Sequence, residues 1–250
     1  MHTPRIYIET DLLTGKEIKL PQEASQHIHV LRLKCNDVLV LFNGNGEEYT
    51  AILQRESKNC AQVMLTGCSK PQVESPLKIN IVQGLARGEK MDFIIQKATE
   101  LGVKTITPLI TEYCNVNLSD DRLEKRLLHW QAVAISAAEQ SGRCSIPKIQ
   151  PAQKITTWLK QPQEGLTLIL NPEAKNGLSS LFKNTKSQPD TINLLVGPEG
   201  GFSAEEISLA EGCKCQSIGL GPRILRTETA ALVMTSILQA KWGDLGNYKF

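Results

Sequence analysis

Between Leu194 and Ile207 the chain reads LLVGPEGGFSAEEI, an apolar run that breaks on Gly197-Pro-Glu-Gly-Gly201 and resumes as a helix-like segment. Glycine lets the backbone come close to a ligand, and proline stiffens the turn and removes a donor. Such a loop presents main-chain groups with a single acid, Glu199, among them. Two other late apolar runs end in comparable turns, LNPE (Leu170, Asn171, Pro172, Glu173) and LGPRILRTE (Leu220 to Glu228). In open α/β sheets, ligands gather beyond the carboxyl ends of the strands. Ser203 and Glu206 have capping-box spacing, so the middle turn runs into a helix N-terminus. A helix N-terminus alone would suit phosphate, but a carboxylate beside a phosphate is repulsive unless a metal or an arginine intervenes. No Gly-Lys-Ser/Thr follows as in a P-loop, and no G-x-G-x-x-G stands between a strand and a helix. A neutral or cationic ligand fits better, such as a nucleoside carrying a sulfonium. Taken singly, each turn reads as architecture, and Glu199 as a cap for its neighbours; three on successive strand ends favour a site.

These turns need strands to carry them, and from Leu77 onward the pattern alternates strand and helix. LKINIVQ reads as a strand, and EKMDFIIQKATELGV sets Met91, Ile94, Ile95, Ala98 and Leu101 on one helical face, with Gly102 as the stop. VKTITPLI is the next strand. RLEKRLLHWQAVAISAAEQSG is a long helix with Leu123, Leu127, Trp130, Ala134 and Ala137 or Ala138 facing inward. LTLIL, INLLVG and QSIGLG are short apolar runs typical of buried parallel strands. The last helix, TETAALVMTSILQAKW, takes Thr227 as its N-cap and is apolar almost all round. That predicts cover on both sides, one of them a subunit interface.

The opening residues read instead as a small β-rich unit. VLVLFN and EEYTAIL flank GNG, a hairpin signal, and CAQVMLTG supplies another strand. The proline-containing KPQVESP, Lys70 to Pro76, marks a boundary, giving domains at 1–72 and 73–250. With 28 basic and 26 acidic residues the net charge is +2, so bulk charge does not identify a nucleic-acid binder, although local basic faces could act as one. No apolar run is long enough to cross a bilayer, and MHTPRIYIETDLL has no apolar signal core, so a cytoplasmic protein is expected. The seven cysteines form no C-x-x-C pair and have no histidine at metal-like spacing, which predicts reduced thiols and no metal. His27 and His29, spaced by two, would share a face if extended; a contact surface is the expected use.

GPEGGFSAEEI followed by LGPRILRTETAAL resembles the cofactor-binding end of a SPOUT-class methyltransferase. PRIY, HIHVLRLK, RGEKMDFIIQKATELGV, AAEQSGR and GDLG occur in the order of one branch, the RsmE family, over Pro4 to Gly246. The resemblance implies an α/β domain with a deep trefoil knot, preceded by a small PUA-like RNA-binding β-barrel. It implies S-adenosyl-L-methionine as cofactor, a homodimer with its active site near the subunit boundary, and 16S rRNA of the small ribosomal subunit as partner. The implied reaction is N3-methylation of a uracil, uridine 1498. The implied cofactor contacts are Leu170, Asn171, Pro172, Glu173, Gly197, Pro198, Glu199, Gly200, Gly201, Leu220, Gly221, Ile224, Leu225 and Arg226. One departure stands out: the branch commonly has arginine-serine where this chain has Tyr113-Cys114.

Methyl transfer to uracil N3 is an in-line displacement that needs no metal. It requires removal of the N3 proton or stabilisation of the uracil anion. Arg226, for developing charge, Glu228, as proton acceptor, and Arg143, for steering RNA, are the catalytic candidates, although an acid one step into a helix also complements its dipole. A paired uracil must be extruded or met unpaired. Phosphate contacts are expected from Arg5, His27, His29, Arg32 and Lys34 ahead of the boundary, and from Arg87, Lys90 and Lys97 after it. Each of these also reads as solvated surface. Two other uses of the chain are ribose 2′-O-methylation on the same cofactor pocket and a non-catalytic RNA-binding assembly role. The front unit and QKATELGV speak against the first, and the intact glycine turns against the second.

Overall fold

Period-two alternation builds the first sheet. The computed structural model describes residues 3–114 and 120–246, so Asn115 to Leu118 of TEYCNVNL lie outside the described residues. β1 (Arg5–Tyr7), β2 (Glu17–Lys19), α1 (Gln22–Val30), β3 (Val38–Phe42), β4 (Glu48–Arg55) and β5 (Gln62–Ser69) come first. The expected hairpin joins β3 to β4 with Phe42 opposite Glu48. Inward residues Tyr49, Ala51 and Leu53 of β4 meet Val63 and Leu65 of β5 in one core with Leu39, Leu41 and Ile28. Sheet order is β1-β3-β4-β5-β2, with β1 parallel to β3 and the other pairings antiparallel. Register shifts at Thr50/Ala51 and Leu53/Arg55 are the kind of irregularity that bends a strand and increases its twist.

The HIHVLR segment is helical, not extended. Two steps along a helix turn side chains to different sides. His27 accordingly faces Glu139 at 3.9 Å, whereas His29 lies 3.3 Å from Glu56.

Residues up to Glu74 and Ile135–Ile146 together make one compact unit. Buried charges hold that later segment. The Arg5 guanidinium pairs with Glu48, donates to the Arg143 carbonyl at 3.1 Å and to Cys144 Sγ at 3.4 Å, and lies 5.1 Å from the Phe42 ring centre. Glu139 Oε1 accepts the Tyr7 N–H at 2.8 Å. Burial pushes the Glu139 carboxyl above its ordinary range, with the Tyr7 N–H, His27 and Arg5 opposing the rise. A raised carboxyl binds its proton more tightly in the fold, so its cost is present at neutral pH and vanishes as pH falls through the raised value. Glu139→Gln, which keeps an acceptor for Tyr7, is therefore expected to raise the unfolding midpoint by about 2 °C at pH 7. The gain should fade on acidification, as scanning calorimetry at several pH values will show.

Residues 75–134 and 147–250 make the second unit. Its elements are β6 (Lys78–Gly84), α2 (Lys90–Glu100), β7 (Thr105–Ile110), α3 (Asp120–Ser141, whose last residues cluster with the first unit), β8 (Lys148–Ile149), β9 (Gln153–Lys154), α4 (Ile155–Leu159), β10 (Leu166–Leu170), α5 (Leu178–Asn184), β11 (Thr191–Val196), α6 (Ala204–Gly212), β12 (Gln216–Ile218) and α7 (Thr227–Trp242). The strands pair in parallel in the order β12-β10-β11-β6-β7-β8, with β9 also on β7. Parallel pairing explains the continuous apolar runs, because both faces of such a sheet are covered. One face packs Val82, Leu109, Ile169 and Leu195 against Trp158 and Leu159 of α4 and Ala210 of α6.

The α2 face is as expected, with Met91, Ile94, Ile95 and Ala98 buried and Leu101 half-buried. Ser203 and Glu206 close the reciprocal capping box at α6, and the second oxygen of Glu206 accepts the Glu112 N–H at 2.9 Å. The start of α7 departs from the sequence reading. Arg226 occupies the N-cap with extended backbone, and Thr227, already inside the helix, sends its hydroxyl to the Gly197 carbonyl at 2.6 Å. A strong acceptor on a distant turn outcompetes the local capping bond.

Candidate functional site

Because β12, β10, β11 and β6 run parallel and side by side, their carboxyl ends share one edge. That geometry brings together the turns that follow them, which are far apart in sequence. A cavity of about 380 Å³ opens there, lined by Leu170, Pro172, Val196, the whole of Gly197–Gly201, and Ile224 to Thr227, with Lys90 of α2 and Ala230 of α7 closing it. Ten of the fourteen residues named from the sequence as cofactor contacts line it. Asn171, Glu173, Leu220 and Gly221 do not. Asn171 is spent internally: its Oδ1 accepts the Glu173 N–H at 2.9 Å, and its Nδ2 donates to Ser217 at 3.3 Å. It shapes the turn that presents Pro172.

The turn after β11 is held by a clamp that the sequence did not reveal. Gln83, fully buried at the end of β6, donates from Nε2 to Thr227 Oγ1 at 2.9 Å, to the Gly84 carbonyl at 2.9 Å and to the Gly197 carbonyl at 3.3 Å. Thr227 passes its own proton to Gly197. Three segments are thereby tied at one point: the ends of β6 and β11 and the start of α7. Reversing the Gln83 amide would set its oxygen against two carbonyl oxygens, so the orientation is fixed by its surroundings. The one sequence signal was a polar residue following the apolar pair Ile81-Val82 near the end of the strand.

Charge at the cavity is concentrated. Lys90 Nζ lies 2.9 Å from Glu199 Oε1 and 3.8 Å from Glu228 Oε2. Glu199 Oε1 also accepts the Arg87 N–H at 3.1 Å. Burial alone would raise the Glu199 carboxyl; the Lys90 ammonium and backbone N–H donors outweigh it and hold the group below the ordinary carboxylate range. Glu228 Oε2 is buried with no hydrogen-bond donor among the described residues. Ile224 is 87 % exposed, and Arg226 is exposed at the N-cap of α7.

The other candidates are dispersed. Arg143 belongs to the first unit and is 4 % exposed, its guanidinium pinned to Glu74 at 2.7 Å and 3.2 Å. Arg5 likewise spends donors inside that unit. His29, Arg32 and Lys34 are exposed and His27 is half-buried. Arg87 is exposed, Lys97 pairs with Glu100 at 2.8 Å, and Lys90 lines the cavity. Tyr113, half of the departure noted above, packs against Gly200: a Cβ added to that glycine would lie 2.7 Å from the Tyr113 Cβ. Cys114 Sγ lies 3.7 Å from the Leu85 carbonyl.

Residues 73–239 match a family described as an RNA methyltransferase domain, and residues 20–63 one described as an RNA methyltransferase PUA domain. The chain is 38 % identical to ribosomal RNA small subunit methyltransferase E of Buchnera aphidicola from Schizaphis graminum, covering 97 % of this chain and 98 % of that protein. It is 32 % identical to the Bacillus subtilis protein of the same name over 87 % of each. Among solved structures it is similar to a ribosomal RNA small subunit methyltransferase E from Neisseria gonorrhoeae bound to S-adenosyl methionine, with a TM-score of 0.91 at 38 % identity, covering 98 % of this chain and 100 % of that one. A methyltransferase from Legionella pneumophila in complex with the same cofactor gives 0.93 at 40 % identity, with 98 % and 100 % covered. The architecture is that of a SPOUT-type α/β domain preceded by a small PUA-like unit. The chain belongs to the ribosomal RNA small subunit methyltransferase E family.

Proposed function

We propose that this protein is an S-adenosyl-L-methionine-dependent methyltransferase that modifies N3 of a uracil in 16S rRNA, uridine 1498 by resemblance to its family. The observation that carries this reading is the cavity at the carboxyl edge of the sheet, built from the glycine turn and lined by Glu199 and by Lys90, whose ammonium lies 3.8 Å from Glu228 just behind the wall. Its chemistry fits the cofactor. About 380 Å³ lies within the usual range for small-molecule pockets. Leu170, Val196 and Leu225 offer apolar walls for an adenine, the main chain of Gly197–Gly201 offers polar groups, and an ionised acid stands where a cationic ligand would be favoured.

When bound, S-adenosylmethionine supplies an electrophilic methyl group whose bond to sulfur breaks as uracil N3 takes it, leaving the electron pair on sulfur. The chain supplies the rest. Glu228 takes up the N3 proton. An acid in the first turn also suits the helix dipole; that role alone gives no reason to bury an oxygen without a donor, which costs about 1–3 kcal/mol. Arg226, exposed at the N-cap beside it, stabilises negative charge on the uracil oxygens. The apolar walls exclude water. Arg143 braces Glu74 in this protomer, and steering of RNA falls to exposed groups such as Arg32, Lys34 and Arg87.

Residues 1–72 form the RNA-binding part and 73–250 the methyltransferase. The contacts of Gln83 and Thr227 with Gly197 would tighten the trefoil knot expected of the class. A homodimer would cover the outer face of α7, where Val233 is exposed.

Titration calorimetry with S-adenosylmethionine and with NAD tests the reading, using Gly200→Arg as control because a side chain there meets Tyr113. Binding of the first alone, lost in the variant, is the expected result. It should be followed by tritium transfer from labelled cofactor to a uracil of small-subunit rRNA. Absence of cofactor binding with or without RNA would leave an RNA-binding assembly role in its place.

A further inference from the structure

Lys90 sits in the wall of the cavity, one helical element away from both acids it touches. It comes from the start of α2, Glu199 from the turn after β11 and Glu228 from the first turn of α7. Three segments thus converge on one ammonium, at 2.9 Å from Glu199 and 3.8 Å from Glu228. The Lys90 side chain is 29 % exposed, Glu199 28 % and Glu228 18 %, so the cluster is partly withdrawn from water and its charges are only partly screened. Within it, two carboxylates share one cation. The Glu199 contact is a hydrogen bond, reinforced by the Arg87 N–H; the Glu228 contact is longer and leaves Oε2 free of any hydrogen-bond donor among the described residues.

That asymmetry suits two different tasks. Glu199 is fixed, as a wall of the pocket needs. Glu228 is neutralised at a distance but keeps its acceptor open, as a proton acceptor needs.

We infer that Lys90 is a positioning residue of the reaction centre: it locks Glu199 into the cofactor wall and carries the countercharge of Glu228, acting through both acids and not through the RNA. The inference rests on the functional reading given above. Arg226, on the N-cap of α7, lines the same cavity, Tyr113 lies beside Gly200 in the adjoining turn, and Arg87 contributes its backbone N–H to Glu199. Removing the lysine takes away the cation that both acids share. Acids deprived of their cation take up a proton at higher pH.

The test uses the full chain as wild type, Lys90→Met and Lys90→Arg. Cofactor affinity is measured by calorimetry, and methyl transfer by single turnover, between about pH 4 and 8.5, a range that takes in the ordinary carboxylate region. In Lys90→Met both affinity and rate should fall on the acid side, with the acid limb displaced to higher pH than in wild type and a loss of up to about tenfold at the low end. Lys90→Arg should restore the wild-type profile. A uniform loss at all pH values, or an unchanged profile, overturns the inference, since a merely structural lysine lowers activity without moving the limb. An unchanged cofactor affinity together with a weakened RNA affinity also overturns it and returns Lys90 to the phosphate contacts. Circular dichroism checks folding; if Lys90→Met does not fold, Lys90→Gln takes its place. Wild type that binds no S-adenosylmethionine overturns the functional reading itself, whereas wild type that binds while Lys90→Met keeps its profile overturns this inference alone.

Discussion

Replacing Gly84 with alanine is expected to damage both stability and cofactor binding. Gly84 ends β6 against the turn that follows β11. A Cβ there would overlap Pro198 Cδ, lie 2.5 Å from Pro198 N and 2.9 Å from the Gly197 carbonyl carbon. Two of those atoms are backbone, and the third belongs to a proline ring, so no flexible side chain can swing aside. The turn itself must move. It cannot do so freely, because Gly197 O is held by Thr227 at 2.6 Å and Gln83 at 3.3 Å. Overpacking of this kind costs about 1–3 kcal/mol, and displacement of the turn opens buried hydrogen bonds as well. Gly84→Ala should thus lower unfolding free energy by about 3 kcal/mol. It should weaken S-adenosylmethionine at least tenfold, since its wall is displaced. Urea unfolding and calorimetry read the two effects. A variant as stable as wild type would mean that β6 and the turn can separate at little cost.

Glu228→Gln should leave the cofactor bound and the reaction nearly stopped. The amide keeps the shape and the place in the first turn of α7, and it keeps an oxygen near Lys90. It cannot accept the N3 proton to become a neutral acid. General-base catalysis is worth about 10²–10⁴-fold, and a loss in that range is expected for single-turnover transfer, with cofactor affinity within about threefold of wild type. Arg226→Ala makes the useful contrast. Loss of a cation that stabilises the anion lowers the rate across the whole pH range, whereas loss of the base removes the acid limb. If Glu228→Gln turned over at wild-type speed, proton removal would have to occur elsewhere, and the buried oxygen would need another explanation.

The fold and half the site could be read along the chain because they rest on short-range regularities. The β3–β4 hairpin, the buried face of α2 and the Ser203–Glu206 box each depend on residues within a few positions of one another. The three turns were legible for the same reason, since glycine and proline impose backbone geometry wherever they stand. Their convergence followed from parallel strands ending at one edge. Local pattern left one segment open. His27 and His29 would share a face only if extended, and Ala24, Ser25 and Ile28 place that segment as a helix on the first core. It erred at Thr227, where a local cap lost to a distant carbonyl.

The partners of the charged residues were not legible at all. Arg5, Lys90 and Arg143 look alike in sequence as basic side chains available for phosphate. The tertiary structure pairs a half-buried Arg5 and a buried Arg143 with acids of the first unit and sets Lys90 between two acids. Lys90 and Glu199 stand 109 positions apart, and Gln83 and Thr227 stand 144 apart. Sequence alone determined the strand–helix alternation, the positions of the glycine turns and the cap of α6, because these arise from backbone geometry and nearest-neighbour periodicity. Tertiary structure alone decided which charges are paired, which acid keeps an open oxygen and which amide clamps the turn. Those outcomes depend on distance in space and on exclusion of water, and neither is written in the order of residues along the chain.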